Sequence, residues 1–195
     1  GPEVTARSIA EMPEPLPAMT LVGDAEVIKA ALDDAGVTHQ DQQSVCTCSG
    51  VCVVDVRSAS EPAAIAAIRW AAAACLEGKA DAMVTGPIHK AALIDQGFEH
   101  MGHTDMLGAI CGAKPVMAFV GGAVRVALVT THIPLAEVPA SITADRVELT
   151  IRTAYRALKA DLGLHHPRVA VCGLNPHAGE SGQLGDTEHA VIAPV

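Results

Sequence analysis

Three short apolar runs limit what this chain can fold into: residues 82–86 (AMVTG), 124–131 (VRVALVTT) and 169–174 (VAVCGL). Each is bounded by glycine or proline and is followed within a few residues by a histidine. Apolar runs of this length read as buried strands. Strands buried on both faces belong to parallel sheets covered by helices. Composition agrees, because 50% of the residues are hydrophobic and only 2% are aromatic. The core must then be built from Ala, Val, Leu and Ile.

Taken in order, residues 1–11 form a helix entered through Gly1 and Pro2, which suits proline at a helix start. A linker punctuated by Pro13, Pro15 and Pro17 follows. Residues 19–22 are a strand, and 25–35 a helix closed by Gly36. Residues 37–50 are a polar loop or an irregular edge strand, and 51–56 a strand. Ser60 caps a helix with Glu61 and Pro62 in its first turn, and Ile65, Ile68, Ala72 and Cys75 lie on one face. A strand over 81–86 precedes a short helix over 90–96 and another over 105–110. Strands 116–120 and 124–131 flank Gly121-Gly122, a hairpin turn. Thr143 caps a helix over 144–162 with Val147, Ile151, Ala154, Leu158 and Leu162 along one stripe. Strand 169–174 follows, and Glu188 opens a last helix. This alternation predicts a doubly wound α/β layer structure. No G-x-G-x-x-G or G-x-x-x-x-G-K-[ST] is present, so the ordinary dinucleotide and P-loop fingerprints are missing.

The stretch 171–186 (VCGLNPHAGESGQLGD) runs from the last strand into four glycines around His177 and Glu180. A strand that opens into a glycine-rich loop is where α/β proteins place their chemistry. His89 and His132 stand at equivalent places after their own strands. Three imidazoles past three strand ends predict a shared face suited to a metal or an anionic substrate.

The net charge of −9 disfavours nonspecific nucleic-acid binding. No apolar run reaches the roughly 18 residues of a membrane span. No signal peptide opens the chain, so the expected location is the cytoplasm. Cys46, Cys48 and Cys52 form C-x-C-x3-C, which is not a usual zinc spacing. All six cysteines read as small buried hydrophobes, with no disulfide framework. A Cys/His metal module centred on those three cysteines is a lesser alternative.

TGPIHK (residues 85–90), MGHTD (101–105), TTHIPL (130–135) and CGLNPHAGE (172–180) resemble, in order and spacing, the 4-hydroxythreonine-4-phosphate dehydrogenase family, the PdxA-like enzymes of vitamin B6 synthesis. The opening GPEVTAR and a strand ending VGD fit the same family. The resemblance implies an isocitrate/isopropylmalate-dehydrogenase-like α/β fold, a layered sheet with helices on both faces. Two α/β subdomains are expected, with a boundary that the sequence does not define. It implies a homodimer with its active site at the subunit interface. It also implies NAD or NADP as cofactor and a divalent metal (zinc, magnesium or cobalt) held by three histidines. Two of those ligands map to His132 and His177, and the substrate contacts map to His103 and Thr104. His89 and Lys90 would add positive charge nearby. No residue is assigned as catalytic or as nucleotide-binding. The other histidines, His39, His100, His165, His166 and His189, are expected at the surface.

The family pattern departs at both ends. The strand and glycine-rich turn before the GPE helix are missing, as are the Tyr-His-Asp-Gln and Asp-His-Gly-Thr-Ala segments that would follow. The expectation is a fragment, incomplete in fold and inactive alone, with sheet edges and apolar surface exposed. Met-Leu after His-Thr-Asp keeps 4-phosphothreonate and a cis-dihydrodiol dicarboxylate open as substrates. A non-catalytic remnant pairing with a full-length subunit is the reading from outside the enzyme class.

Overall fold

The computed structural model describes residues 1–58, 60–88 and 102–195. It divides into two compact units, Gly1–Pro115 and Val116–Val195.

The first unit is built on a parallel three-stranded sheet. Its elements are α1 (Pro2–Ala10), β1 (Ala18–Gly23), α2 (Ala25–Asp34), β2 (His39–Asp41), β3 (Gly50–Asp55), α3 (Ala63–Leu76) and α4 (His103–Cys111). The strand order is β1-β3-β2, with Thr20 opposite Cys52 and Gln40 opposite Cys52. Val51, Cys52, Val53 and Val54 are all buried, as a central strand covered on both faces requires. Successive side chains alternate between faces. Val51 and Val53 pack with Ala6 and Ile9 of α1 and Ala25, Ala31 and Leu32 of α2. A smaller cluster joins Ile65 and Ile68 of α3 to Met106 of α4.

Local signals set most of these ends. Asp24 caps α2 by accepting hydrogen bonds from the Glu26 and Val27 backbone N–H groups. Helix α3 starts two residues later than its serine predicts: Pro62 is the N-cap, and Ser60 instead pairs with Ser58. The expected irregular edge strand is β2. From its end, residues 42–49 return along the sheet to the start of β3. Cys46 on this return lies over the sheet face, where its N–H donates to Thr20 Oγ1 at 2.8 Å.

The second unit contains β4 (Ala118–Gly121), β5 (Val124–Ala127), a one-turn α5 (Val138–Ser141) and α6 (Ala144–Ala160). The hairpin forms as expected, antiparallel, with Gly121 opposite Val124 and Gly122 at φ 56°. Thr143 caps α6 by accepting from the Arg146 N–H. Val147 is the most buried position of the α6 stripe, whereas Leu162 is exposed.

Several expectations fail here for one physical reason. Residues 82–86 and 169–174 are not strands, and β5 stops at Ala127, short of Thr131. A strand needs a neighbour for its backbone groups, and these segments find none among the described residues. Several of their apolar side chains stay in solvent: Val84 is 98% exposed, and Val169 and Val171 are exposed too, while Met83 packs against the α3–α4 cluster. Phe119, Val120, Val124 and Val126 of the hairpin are likewise exposed. The last helix is a single wide turn, Glu188–Ile192, and does not run to the terminus. The 90–96 helix, His89, Lys90 and His100 lie outside the described residues.

The cysteines are not six buried thiols. Cys46 and Cys52 are joined in a disulfide with a Cα–Cα separation of 5.7 Å. Cys48, Cys111 and Cys172 are exposed and Cys75 is half-buried. The pairing removes two sulfurs from the proposed cysteine metal module. His39 is not a surface residue: it is half-buried, its Nδ1 3.3 Å from the Val37 carbonyl oxygen.

Candidate functional site

The four assigned residues divide between the units. His103 opens α4 and is half-buried, and Thr104 beside it is exposed. The first turn of a nine-residue helix presents backbone N–H groups, a favourable setting for anions. His132 and His177 both belong to the second unit and are both exposed.

Both imidazoles sit on left-handed backbone, His132 at φ 54° and His177 at φ 52°. Left-handed geometry is uncommon for residues other than glycine and is held only where the surroundings impose it. Around His177 the imposition is visible. Residues 177 to 182 all have positive φ, from His177 through Gly182 at 91°. Behind this run is Glu188, only 8% exposed. Its carboxylate accepts the Asn175 backbone N–H at 2.6 Å and the Asn175 side-chain amide at 3.1 Å. These bonds hold the Glu188 carboxyl below its ordinary range, against the opposite effect of burial.

The glycines make room for this arrangement. A Cβ on Gly179 would come within 2.3 Å of the Gly185 carbonyl oxygen and 3.1 Å of Glu188 Oε2. Glu188 has no motif to mark it in the sequence, where it is one carboxylate eleven residues beyond His177. Its role comes from burial and from the two bonds to Asn175.

A second ionic cluster lies at the carboxyl ends of β1 and β3. Arg57 Nη2 is 2.7 Å from Asp55, and Nη1 is 3.1 Å from Glu26 and 3.6 Å from Asp24. The guanidinium lowers the Asp55 carboxyl to about 2. Three carboxylates around one cation leave little positive potential for an anionic ligand, so this cluster ties the sheet end to α2.

Two neutral imidazoles are chemically suited to zinc, cobalt or a similar ion. They do not complete a ligand set: among the described residues no three His, Cys, Asp or Glu side chains are grouped to hold a metal. No helix of the described residues is long and apolar enough to cross a membrane.

Residues 14–195 match the family model described as pyridoxal phosphate biosynthetic protein PdxA. The chain belongs to the PdxA family. A 4-hydroxythreonine-4-phosphate dehydrogenase of Acidithiobacillus ferrooxidans is 49% identical over 138 residues, 70% of this chain and 41% of that protein. The crystal structure of 4-hydroxythreonine-4-phosphate dehydrogenase from Klebsiella pneumoniae superposes with a TM-score of 0.85 at 29% identity, covering 99% of this chain and 64% of that one. A terephthalate 1,2-cis-dihydrodiol dehydrogenase from Burkholderia xenovorans LB400 superposes at 0.67 with 28% identity, over 100% of this chain and 64% of the other. The chain therefore spans less than two thirds of the length of these relatives. The α/β architecture with a parallel sheet is the PdxA fold.

Proposed function

We propose that this chain forms part of an NAD(P)-dependent, divalent-metal-requiring dehydrogenase that oxidises 4-hydroxythreonine 4-phosphate, with decarboxylation, in pyridoxal phosphate biosynthesis. The observation that carries the reading is the family match over residues 14–195, with its two histidine loops intact in sequence and exposed in structure. His132 and His177 supply imidazole ligands, and donors from outside the described residues complete the set. A divalent cation bound there would polarise the hydroxyl being oxidised. His103 and Thr104 hold the anionic end of the substrate at the start of α4. Glu188 keeps the His177 loop in its left-handed course. The enzyme works in the cytoplasm as a homodimer whose partner contributes to the site.

The likeness to a dihydrodiol dehydrogenase supports a second reading, oxidation of a cis-dihydrodiol dicarboxylate. Met106 and Leu107 follow the His103-Thr104-Asp105 motif, and Met106 is fully buried against α3. A substitution there would change the footing of the substrate helix.

Reduction of NAD(P) by the whole protein, measured with 4-hydroxythreonine 4-phosphate, 4-phosphothreonate and the dihydrodiol dicarboxylate, separates these readings. The first should exceed the others by at least ~10-fold in kcat/KM, a margin of about 1.4 kcal/mol. A preference for either of the others moves the function to that substrate. Metal binding is checked independently by Co(II) absorption. His132→Ala and His177→Ala should each weaken binding at least ~10-fold, since even outer-shell partners are worth that much. Unchanged Co(II) affinity in both variants would remove the ligand assignment.

A further inference from the structure

The segment between β2 and β3 carries three cysteines that the dehydrogenase reading does not use. Cys46 and Cys52 are bonded and buried, at 5% and 1% exposure. Cys48 is a free, exposed thiol between them in sequence. Cys46 Sγ lies 3.4 Å from the Cys48 carbonyl oxygen, so residue 48 folds back against the bonded sulfur. Cys46 is held there by its N–H bond to Thr20 Oγ1, and Cys52 by its place in the central strand. A small thiol in solvent has poor access to either bonded sulfur, whereas Cys48 is exposed, lies two residues from Cys46 and has its backbone carbonyl against Cys46 Sγ.

We propose that Cys46, Cys48 and Cys52 form a thiol–disulfide exchange site, in which Cys48 opens the buried Cys46–Cys52 bond to small-molecule monothiols. Cys48 gives its proton to solvent and the thiolate attacks Cys46 Sγ. A Cys46–Cys48 bond forms, the Cys46–Cys52 bond breaks, and Cys52 leaves as a thiolate that takes up a proton. The thiol count is unchanged, so this step needs no oxidant. The bond now has an exposed sulfur at Cys48. A monothiol attacks that sulfur, forming a mixed disulfide and releasing the Cys46 thiol. A second monothiol frees Cys48 and leaves as the oxidised disulfide. Two monothiols are oxidised and one protein disulfide is reduced. The β2–β3 return is thereby released from the sheet face in response to the surrounding thiol pool.

The test is reduction by excess glutathione, with timed quenching by N-ethylmaleimide under denaturing conditions and fragment mass mapping. Cys48→Ser should slow loss of the Cys46–Cys52 bond at least ~5-fold, while Cys111→Ser, which removes another exposed thiol, should leave the rate unchanged. In the unsubstituted chain the first glutathione adduct should map to Cys48. A smaller slowing in Cys48→Ser, or a first adduct on Cys46 or Cys52, overturns the proposal.

Discussion

The Glu188 carboxylate binds both the backbone N–H and the side-chain amide of Asn175, two residues before the loop histidine His177. One buried charge thus anchors the entry to a loop whose next residues wind left-handed. Glu188→Ala leaves the Asn175 N–H without its acceptor, and a buried donor left unpaired is costly. Hydrogen exchange at the Asn175 amide should become faster, and Co(II) affinity at His177 should fall. Glu188→Gln should fall between the two, because its amide can accept only one of the bonds. Unchanged Asn175 exchange in Glu188→Ala would contradict the anchoring role.

The same carboxyl makes the loop acid-sensitive. Its folded pKa lies below the ordinary value of 4.5, so its stabilisation is complete above that value. It is lost as pH falls through the lowered folded value. Protection from exchange at the amides of residues 175–182, taken relative to the intrinsic rate at each pH, should fall only below the ordinary carboxylate range.

Asp55 gives a second acid-dependent contribution. Its pKa falls from 3.8 to about 2 beside Arg57, so its contribution is complete above 3.8 and disappears as pH drops through about 2. Asp55→Asn removes this contribution. Thermal unfolding of the variant and the unsubstituted chain should differ above pH 4, and the difference should shrink toward pH 2. A constant difference across that range would show that the Asp55 charge is not responsible.

Gly36 and Gly179 distinguish backbone conformation from steric exclusion. Gly36 closes α2 at φ 72° with open space where a Cβ would go. Gly36→Ala should cost about 1 kcal/mol, the ordinary left-handed penalty. Gly179, at φ 84°, adds a 2.3 Å clash with the Gly185 carbonyl. Gly179→Ala should cost clearly more, because the loop must move, and it should also weaken Co(II) binding. Urea unfolding of both variants tests the ordering.

The Cys46–Cys52 bond closes a short loop, with a sequence separation of 6. Loop-closure entropy for that length is worth about 2 kcal/mol. The double variant Cys46→Ala/Cys52→Ala should lose about that much in urea unfolding. It should also show faster amide exchange over residues 42–50.

Local chemistry in the sequence foretold much of the fold. Gly36 ends α2, Gly121-Gly122 makes the hairpin, and Thr143 caps α6. These signals act within four residues and need no partner. Residues 82–86 and 169–174 show the limit of that logic. Their composition suits buried strands, but a strand depends on a neighbour that local sequence does not specify. The Cys46–Cys52 bond escaped for a related reason: it depends on a return loop crossing the sheet face. At the site, His132 and His177 stood out because each follows an apolar run and lies in a motif, TTHIPL or NPHAGE, that carries the family resemblance. Glu188 did not, because its importance lies in being buried.

The run from His177 to Gly182 is, in effect, a mirror-image turn. Four of its six members, His177, Ala178, Glu180 and Ser181, carry side chains of the wrong chirality for it. For D-amino acids the preference inverts, and each such position would gain the ~1–2 kcal/mol that L-residues forgo. A chemically assembled chain with D-alanine at position 178 should therefore hold the His177 loop more firmly than the natural stereoisomer does.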